Sequence, residues 1–433
     1  MQVSVEKTSE LSRKMTVCVP DAVVQEKMET RFKKLAREVK VDGFRPGKVP
    51  VSTIKKLYGD RVKSEVSGDI IQSTYFEALQ QQELVPAGYP NIVPAENTEG
   101  FEYIAEFEVY PQVSLDAING LAISRPTATV TEADVNNMIE KLRQQKKTWA
   151  TVERASQESD RVTIHFSGTS EGENFTDGKV ENYVVEIGGK QMIPGFEDEL
   201  KGLSVGDSKT FNITFPEKYN SEKLAGKLAE FSIEMITVEE SLLPEVDADF
   251  IKAYGVEEGT ADDFRADVRV NMERELAQGL KNKLKTAVMD ALFEKVSVTL
   301  PNTLVDQEIQ VLMKPYAERA EKMKLKVEDL NLPRDMFENQ ARRRVALGLI
   351  LGEIIKVNDI KVDAEQVRTV IIDMAKSYEK PEEVVNWYYV DSSRLNDVNQ
   401  MVIEDQAVAW VMERAQVTDQ ALGFEDVMER QQA

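Results

Sequence analysis

A loop of eight residues, 43–50, brings an aromatic ring and two cations together. Phe44 can fill an apolar pocket or stack on a nucleotide base, and Arg45 presents a planar fork that suits phosphate or carboxylate. The glycines allow backbone angles that residues with a β-carbon resist, and the prolines limit the loop's freedom, so less entropy is lost when it binds. The loop is therefore suited to contact a partner through Gly43, Phe44, Arg45, Gly47, Lys48 and Pro50.

The loop lies in a basic segment of an acidic protein. Residues 31–63 include eleven Lys or Arg and three acidic residues, while the whole chain carries a formal net charge of -22. Concentrated positive charge in an anionic protein is typical of a surface that meets a polyanion. A solvated helix face is the alternative, but it explains poorly why a Phe stands between two glycines and beside an Arg.

Amphipathic helices are predicted on both sides of the loop. Apolar residues recur at three- and four-residue steps after Asp21, which can cap a helix, and again after Pro50. A third helix is predicted to follow and to carry Val66, Ile70 and Leu79. Each helix would bury one apolar stripe and turn its cations outward.

The pattern Gly43-Phe44-Arg45-x-Gly47-x-x-Pro50 resembles the ribosome-docking signature of the bacterial trigger factor family. The resemblance covers the whole chain in length and domain order. It implies that Phe44, Arg45 and the neighbouring Lys48 contact the exit-site protein and the ribosomal RNA of the large subunit. It also implies that the protein forms a homodimer away from the ribosome.

Composition excludes several kinds of chemistry. A single His165 and a single Cys18 make zinc sites and Ser-His or Cys-His catalysis implausible, and no G-x-x-x-x-G-K-[ST] phosphate loop is present for ATP-driven work. We therefore expect no metal and no other cofactor. The N-terminus lacks the apolar core of a secretion signal, and the most apolar run, 345–355, is too short for a membrane helix. A cytoplasmic protein without a membrane partner is expected, with Cys18 as a small reduced core residue.

The spacing of apolar residues changes along the 433 residues of the chain. Strands with basic helices come first, a polar helix at 132–147 suggests a connector, and short strands with glycine turns follow. After Pro244 the pattern is almost wholly helical, and the tail after Val417 is expected to be loosely held. The predicted fold class is multidomain α+β, with an α+β domain at 1–113, a connector at 114–149, an antiparallel β domain with a short helix at 150–243, and a large all-α domain at 244–433.

The stretch 187–207 resembles the core of FKBP-type peptidyl-prolyl isomerases, with glycines where that family turns between strands and a short helix. The resemblance implies that the backbone amide of Ile193 holds the substrate carbonyl. The acid that the family places directly after the first pocket Phe stands one position later here, at Asp177, and His165 is interpreted as structural. The proline pocket implied by the resemblance is lined by Phe166, Phe175, Tyr183, Met192, Ile193, Phe196, Tyr219 and Phe231.

An aromatic pocket of this kind can act without a base or a nucleophile. Rotation about an X-Pro bond faces a barrier of about 20 kcal/mol because the planar amide is stabilised by resonance. Water stabilises the polar planar amide more than it stabilises the twisted one. A pocket that removes water therefore favours the twisted transition state.

The helical segment is predicted to bind unfolded chains. Apolar residues step by four from Val268 to Leu292, which indicates one long helix with a buried stripe. The trigger factor resemblance implies that the helices form two arms, which make a cradle for nascent and unfolded polypeptides together with the first domain. Flexible, polarizable methionines suit contacts with many partners, although most of them are expected to fill cores. Those of this segment are Met272, Met289, Met313, Met323, Met336, Met374, Met401, Met412 and Met428.

Three functions remain open from the sequence. The favoured one is an ATP-independent, ribosome-associated chaperone that also isomerises X-Pro bonds. The alternatives are a free FKBP-type isomerase with dimerising flanks and a ribosome accessory factor with a vestigial isomerase domain. Phe44 and Arg45 argue against the first alternative, because a free isomerase has no need of such a loop. A proline-peptide assay would distinguish the second alternative, with its vestigial isomerase domain, from the favoured function.

Overall fold

The N-terminal part of the chain combines four strands with two long helices. The computed structural model describes residues 1–42, 44, 48–95, 100–176, 178–221, 223–256, 259–323, 333–376, 378 and 380–429. The elements of this part are β1 (Gln2–Lys7), β2 (Ser12–Pro20), α1 (Asp21–Glu38), α2 (Val51–Gln81), β3 (Asn91–Pro94) and β4 (Gly100–Glu108). The strands form one antiparallel sheet in the order β1-β2-β4-β3.

Alternation along β4 decides which face of this sheet is buried. Tyr103, Ala105 and Phe107 are buried in one core with the apolar stripes of α1 and α2, while the residues between them are more exposed. The hydroxyl groups of Tyr103 and Thr74 are 2.9 Å apart and join the sheet to α2 by a buried hydrogen bond. Both helices that flank the loop are therefore fixed to the sheet.

Two expectations for this part are wrong. Cys18 is half exposed, because the alternation of β2 turns Val17 and Val19 into the core and Cys18 to the opposite face. The second and third predicted helices are a single helix, α2, which runs through Gly59 and Gly68. The buried positions of α2 continue at helical spacing on both sides of the glycines, so packing outweighs their low helix propensity.

A six-stranded antiparallel sheet follows the connector. The connector contains β5 (Ala122–Thr127) and α3 (Glu132–Gln145). The six strands of the sheet are β6 (Thr148–Thr151), β7 (Arg161–Ser170), β8 (Glu173–Asn174), β9 (Val180–Glu186), β10 (Ser208–Thr214) and β11 (Leu228–Leu242). The strands β7 and β11 pair along most of their length, with β10 beside β11 and β9 beside β7. The strand β6 pairs with β11, and the short strand β8 pairs with β7.

The rest of the chain is mainly helical, and the predicted fold class is confirmed. Its elements are α4 (Ala248–Lys252), α5 (Ala261–Lys295), α6 (Asn302–Lys322), α7 (Asp335–Val357), α8 (Ala364–Ala375), α9 (Pro381–Val390), α10 (Ser392–Met412), β12 (Gln416–Ala421) and α11 (Phe424–Met428). Among the described residues, no helix has both the length and the apolarity of a membrane span. The chain divides into two compact units, 1–126 with 282–420 and 127–281 with 421–433.

The long helix α5 confirms the predicted four-residue step. Val268, Met272 and Leu276 are buried in one apolar cluster, and Val288 and Leu292 are buried in another. The helix begins with a capping box, in which Thr260 and Asp263 exchange side-chain and backbone hydrogen bonds. Burial along one stripe explains a helix much longer than local propensity alone would stabilise.

The tail after Val417 is ordered up to residue 429, so the expectation of a loosely held tail is wrong there. The strand β12 pairs with β5, almost 300 positions earlier in the chain. Phe424 and Val427 of α11 are buried in the cluster that includes Val268 of α5. The last four residues, 430–433, lie outside the described part of the chain.

The helix α6 receives its N-terminal cap from a distant strand. Its own N-cap residue is Pro301, which offers no capping side chain. The carboxylate of Glu108, at the end of β4, accepts hydrogen bonds from the Thr303 N–H at 2.8 Å and from the Thr303 hydroxyl at 2.9 Å. A carboxylate at this position satisfies a free backbone donor and interacts favourably with the helix dipole.

Candidate active site and docking loop

An aromatic cavity of about 520 Å³ opens beside strands β7 and β11. Seven of the eight predicted pocket residues line it: Phe166, Phe175, Tyr183, Met192, Ile193, Tyr219 and Phe231. The lining residues that were not predicted are Thr176, Gln191, Pro194, Phe215 and Pro216. None of these twelve side chains is charged. The described residues of the cavity can therefore remove water from a peptide without offering it a charged acid or base.

Phe196 is the one predicted pocket residue that does not line the cavity. Its side chain is fully buried, and its ring packs edge-on against Phe231 at 5.2 Å and against Phe166 at 6.1 Å between centroids. Phe196 thus supports two cavity rings from within the core. Its distance from the cavity surface follows from its place in the short turn before the 3₁₀ helix Asp198–Leu200, which packs inward.

Strand pairing brings the cavity rings together. Phe231 on β11 lies opposite Gly168 on β7, and the Phe175 N–H donates a hydrogen bond of 3.1 Å to the Gly168 carbonyl. The Phe175 ring lies directly on Gly168, where a β-carbon would be only 2.2 Å from the ring. Gly168 is therefore required as a glycine by the position of a cavity ring.

Phe215 is the clearest residue that sequence reasoning missed. Its ring lies 4.7 Å from that of Tyr219 and 5.5 Å from that of Phe175, and it closes one side of the cavity with Pro216. The signal was an aromatic residue directly before a proline, four positions ahead of a predicted pocket Tyr. Apolar residues at the end of a strand are usually assigned to the core, and Phe215 contacts both the core and the cavity.

The loop before Phe196 carries Met192 and Ile193 to the cavity. Its backbone is held by the buried carboxylate of Glu197, which accepts four hydrogen bonds from backbone N–H groups within 188–192. Burial alone would raise the pKa of Glu197, but the four donors outweigh it and hold the pKa below its usual value. Among the described residues, the Ile193 N–H donates no hydrogen bond. That donor is therefore available to a substrate carbonyl.

His165 has the structural role predicted for it. Its Nδ1 accepts a hydrogen bond of 2.9 Å from the Asn182 N–H and so joins β7 to β9. His165 is not among the residues that line the cavity. Asp177, the displaced family acid, lies outside the described residues.

The predicted docking loop is described in part. Phe44 is 40% exposed, Lys48 and Pro50 are exposed, and Pro50 is the N-cap residue of α2. Val49, which sequence reasoning missed, is buried in the core of the N-terminal sheet and fixes this end of the loop. The other predicted loop residues, Gly43, Arg45 and Gly47, lie outside the described part of the chain.

Most cations around the loop lack an ionic partner. Arg31 pairs with Glu65 at 2.6 Å, and Lys33 approaches Glu29 at 3.7 Å. Among the residues that the structure describes, the exposed cations of 31–63 without a carboxylate within 4.0 Å are Lys34, Arg37, Lys40, Lys48, Lys55, Lys56, Arg61 and Lys63. Exposed, unpaired cations on two neighbouring helices create a positive surface that suits phosphate groups.

Comparison with known proteins agrees with this architecture. The family model for the bacterial trigger factor protein matches residues 1–142, the model for its C-terminus matches 260–413, and the model for FKBP-type peptidyl-prolyl cis-trans isomerase matches 152–236. The trigger factor of Hahella chejuensis is 41% identical over 430 residues, which cover 99% of this chain and 96% of the relative. The trigger factor of Aliivibrio fischeri is 40% identical over 435 residues, which cover 100% of both chains.

A solved structure supports the fold independently. It is described as "Promiscuous Substrate Recognition in Folding and Assembly Activities of the Trigger Factor Chaperone" and matches with a TM-score of 0.50 at 15% identity. The match covers 95% of this chain and 99% of the solved chain. The chain therefore belongs to the trigger factor family and contains an FKBP-type peptidyl-prolyl isomerase domain.

Proposed function

We propose that this ribosome-associated chaperone isomerises X-Pro bonds of nascent chains in the aromatic cavity. The observation that carries the proposal is the convergence of seven predicted pocket residues on one cavity, in which no lining side chain that the structure describes is charged. The prolyl ring would enter between Phe166, Phe175 and Phe231, while the Ile193 N–H would donate to the substrate carbonyl. Removal of water favours the less polar twisted amide, so the barrier falls without proton transfer.

The cavity assignment is tested by Phe231→Ala in the full-length protein. Phe231 lines the cavity and contacts Phe175, Phe196 and Phe211, so its loss removes one wall. We expect a fall of at least about tenfold in kcat/KM for a proline peptide, which corresponds to about 1.4 kcal/mol of transition-state stabilisation. Phe264→Ala is a matched control, because Phe264 is an equally buried aromatic residue in a different apolar cluster. Full activity of the Phe231 variant would refute the assignment.

We also propose that the docking loop binds the large ribosomal subunit. Phe44 would occupy an apolar pocket of the exit-site protein, while Arg45, Lys48 and the unpaired cations of α1 and α2 would contact ribosomal RNA. The exposure of Phe44 and of those cations supports this proposal. Binding through phosphates should weaken steeply as the salt concentration rises.

Ribosome co-sedimentation tests the docking proposal. The variant with Phe44, Arg45 and Lys48 all changed to Ala should lose most of its binding. A matched control changes Tyr89, Lys7 and Lys14 to Ala, an aromatic residue that is 89% exposed and one lysine each from β1 and β2, outside the basic segment. Unchanged binding of the loop variant at physiological salt would refute the docking assignment.

Exposed apolar side chains on the helical segment support a role in holding unfolded chains. Apolar side chains in contact with water are available to bind the apolar side chains of an unfolded chain. We propose that they contact nascent polypeptides, and four of the methionines noted in the sequence are among them. Among the described residues of this segment, the exposed ones are Val270, Phe293, Val311, Tyr316, Met323, Met336, Val357, Val362, Ile372, Tyr378, Trp387, Tyr389, Val390, Met401 and Met428.

The remaining assignments rest on the family alone. We propose a cytoplasmic location and a homodimer away from the ribosome, which sedimentation of the free protein would test. The domain division proposed from the sequence is 1–113, 114–149, 150–243 and 244–433. Refolding of a proline-free protein by the Phe231→Ala variant would show whether chain binding is independent of isomerisation.

A further inference from the structure

In the part of 150–243 that the structure describes, the carboxylates of Asp160 and Glu197 are buried, and the two differ in their partners. Asp160 is buried with Arg154, whose guanidinium donates to it at 2.9 Å. Glu197 is 8% exposed, and its charge is balanced by backbone N–H groups instead of a cation. A buried carboxylate is costly unless it is fully hydrogen-bonded, so these donors are essential partners of the charge.

Four donors converge on the two oxygens of this carboxylate. Oε2 accepts from the N–H of Gly188 at 2.8 Å and of Lys190 at 3.0 Å. Oε1 accepts from the N–H of Gln191 at 2.9 Å and of Met192 at 3.1 Å. We name residues 188–193 the wall loop, because its last three residues line the aromatic cavity. Glu197 thus binds three successive amides that end at Met192, and it leaves the Ile193 N–H without an acceptor among the described residues.

Two further backbone hydrogen bonds hold the ends of the wall loop, from the Gly189 N–H to the Glu186 carbonyl at 3.0 Å and from the Phe196 N–H to the Ile193 carbonyl at 3.1 Å. Lys190 has a positive φ of 54°, which residues with a β-carbon rarely adopt. The loop also has a cavity on each side: Met192 and Ile193 line both the aromatic cavity and a second cavity of about 380 Å³. Packing is therefore incomplete on both sides, and the three amides of 190–192 are held by their hydrogen bonds to Glu197.

We propose that Glu197 is the positioning residue of the isomerase cavity, whose carboxylate fixes the wall loop so that Met192 and the Ile193 N–H face the substrate. This inference rests on the proposed isomerase function. Glu197 does not touch the peptide and acts only through the backbone that it binds. Its lowered pKa agrees with a carboxylate that stays ionised while it accepts four hydrogen bonds.

The test is Glu197→Gln in the full-length protein. Glutamine has the same shape, but its amide nitrogen cannot accept hydrogen bonds, so two of the four N–H groups lose their acceptor. We expect kcat/KM for a proline peptide to fall by about tenfold to a hundredfold at temperatures where the fold is intact, because small misplacements of contact groups have effects of this size. Glu197→Asp keeps the charge on a shorter side chain and should give a smaller fall, and it serves as the second variant if Glu197→Gln does not fold.

Hydrogen exchange of the same variants separates positioning from general destabilisation. Amide exchange should become faster in the peptide that covers the wall loop and stay unchanged in β9. Asp160→Asn is the matched control, because it weakens a buried carboxylate that contacts Arg154 and the Gln157 N–H but no cavity residue. This control should retain kcat/KM and the exchange pattern of the wall loop.

The outcomes distinguish this inference from the proposed function. Lost activity in Phe231→Ala together with full activity in both Glu197 variants would overturn the positioning role and leave the cavity assignment intact. Unchanged exchange in the wall loop would also overturn it, whatever the activity. Absence of isomerase activity in the natural protein would refute the proposed function. Faster exchange limited to the wall loop in the Glu197 variants would still show that the order of this loop depends on Glu197.

Discussion

Replacing Gly168 by Ala should block the aromatic cavity. A β-carbon at Gly168 would lie 2.2 Å from Cζ, 2.8 Å from Cε2 and 2.9 Å from Cε1 of Phe175. Carbon atoms in contact are normally about 3.5–4.0 Å apart, so the ring must move by more than about 1 Å. The backbone of β7 cannot yield easily, because it pairs with β11 on one side and β9 on the other.

The direction of that movement follows from the neighbours of Phe175. Its ring packs edge-on against Phe215 at 5.5 Å and Phe231 at 5.6 Å, which leaves the cavity as the open side. Overpacking of this kind costs about 1–3 kcal/mol of the unfolding free energy. Entry of the ring into the cavity should lower kcat/KM for a proline peptide by at least about tenfold, a loss of about 1.4 kcal/mol in transition-state stabilisation.

A proline-peptide assay and thermal unfolding of the same samples measure both effects. Gly68→Ala is a suitable control, because Gly68 lies in α2 and a methyl group added there would have no atom within 4 Å. That change should raise the unfolding free energy by about 1 kcal/mol and leave the isomerase unchanged. Adding Phe175→Leu to Gly168→Ala should recover part of the lost stability, since the shorter side chain removes the clash. A Gly168→Ala protein with full activity would refute our account of how Phe175 is placed.

Three further measurements test other parts of the structure. Glu108→Ala should lower the unfolding free energy by about 1 kcal/mol through loss of the α6 cap, whereas an unchanged midpoint in urea would show that water replaces it. Thr131→Ala should cost a similar amount by opening the capping box with Asp134 at the start of α3, and helix content measured by circular dichroism would fall little. The lowered pKa of Glu197 means that its carboxylate stabilises the fold fully above pH 4.5 and loses this effect as the pH falls through the folded pKa. The difference in unfolding free energy between the natural protein and Glu197→Gln should therefore shrink below pH 4.5, and a constant difference down to about pH 3 would contradict the assigned shift.

Local patterns in the sequence predicted the long elements well. The helix start at Asp21, the four-residue step of α5 and the alternation of β4 each follow from contacts within one element, so they can be read without knowing the fold. The cavity was predicted from the order of aromatic residues within a recognised family pattern. Its residues are brought together by that family's strand pairing, which the pattern already implied.

Features that depend on distant parts of the chain were missed. The pairing of β12 with β5 leaves no local signal, because Gln416–Ala421 contains few apolar residues. The separation of Phe196 from the cavity surface and the four bonds of Glu197 both depend on how one turn folds back on itself. Such contacts are set by three-dimensional geometry, and residue type alone cannot distinguish a lining ring from the ring behind it.

The bond from Glu108 to Thr303 makes the start of α6 depend on a strand nearly 200 residues earlier. A recombinant fragment that began after β4 would start α6 with Pro301 and an unsatisfied first turn. Fraying measured on such a fragment would then reflect how it was cut and would overstate the mobility of this helix in the intact chaperone. Dissection of this protein should therefore keep β4 and α6 in the same polypeptide.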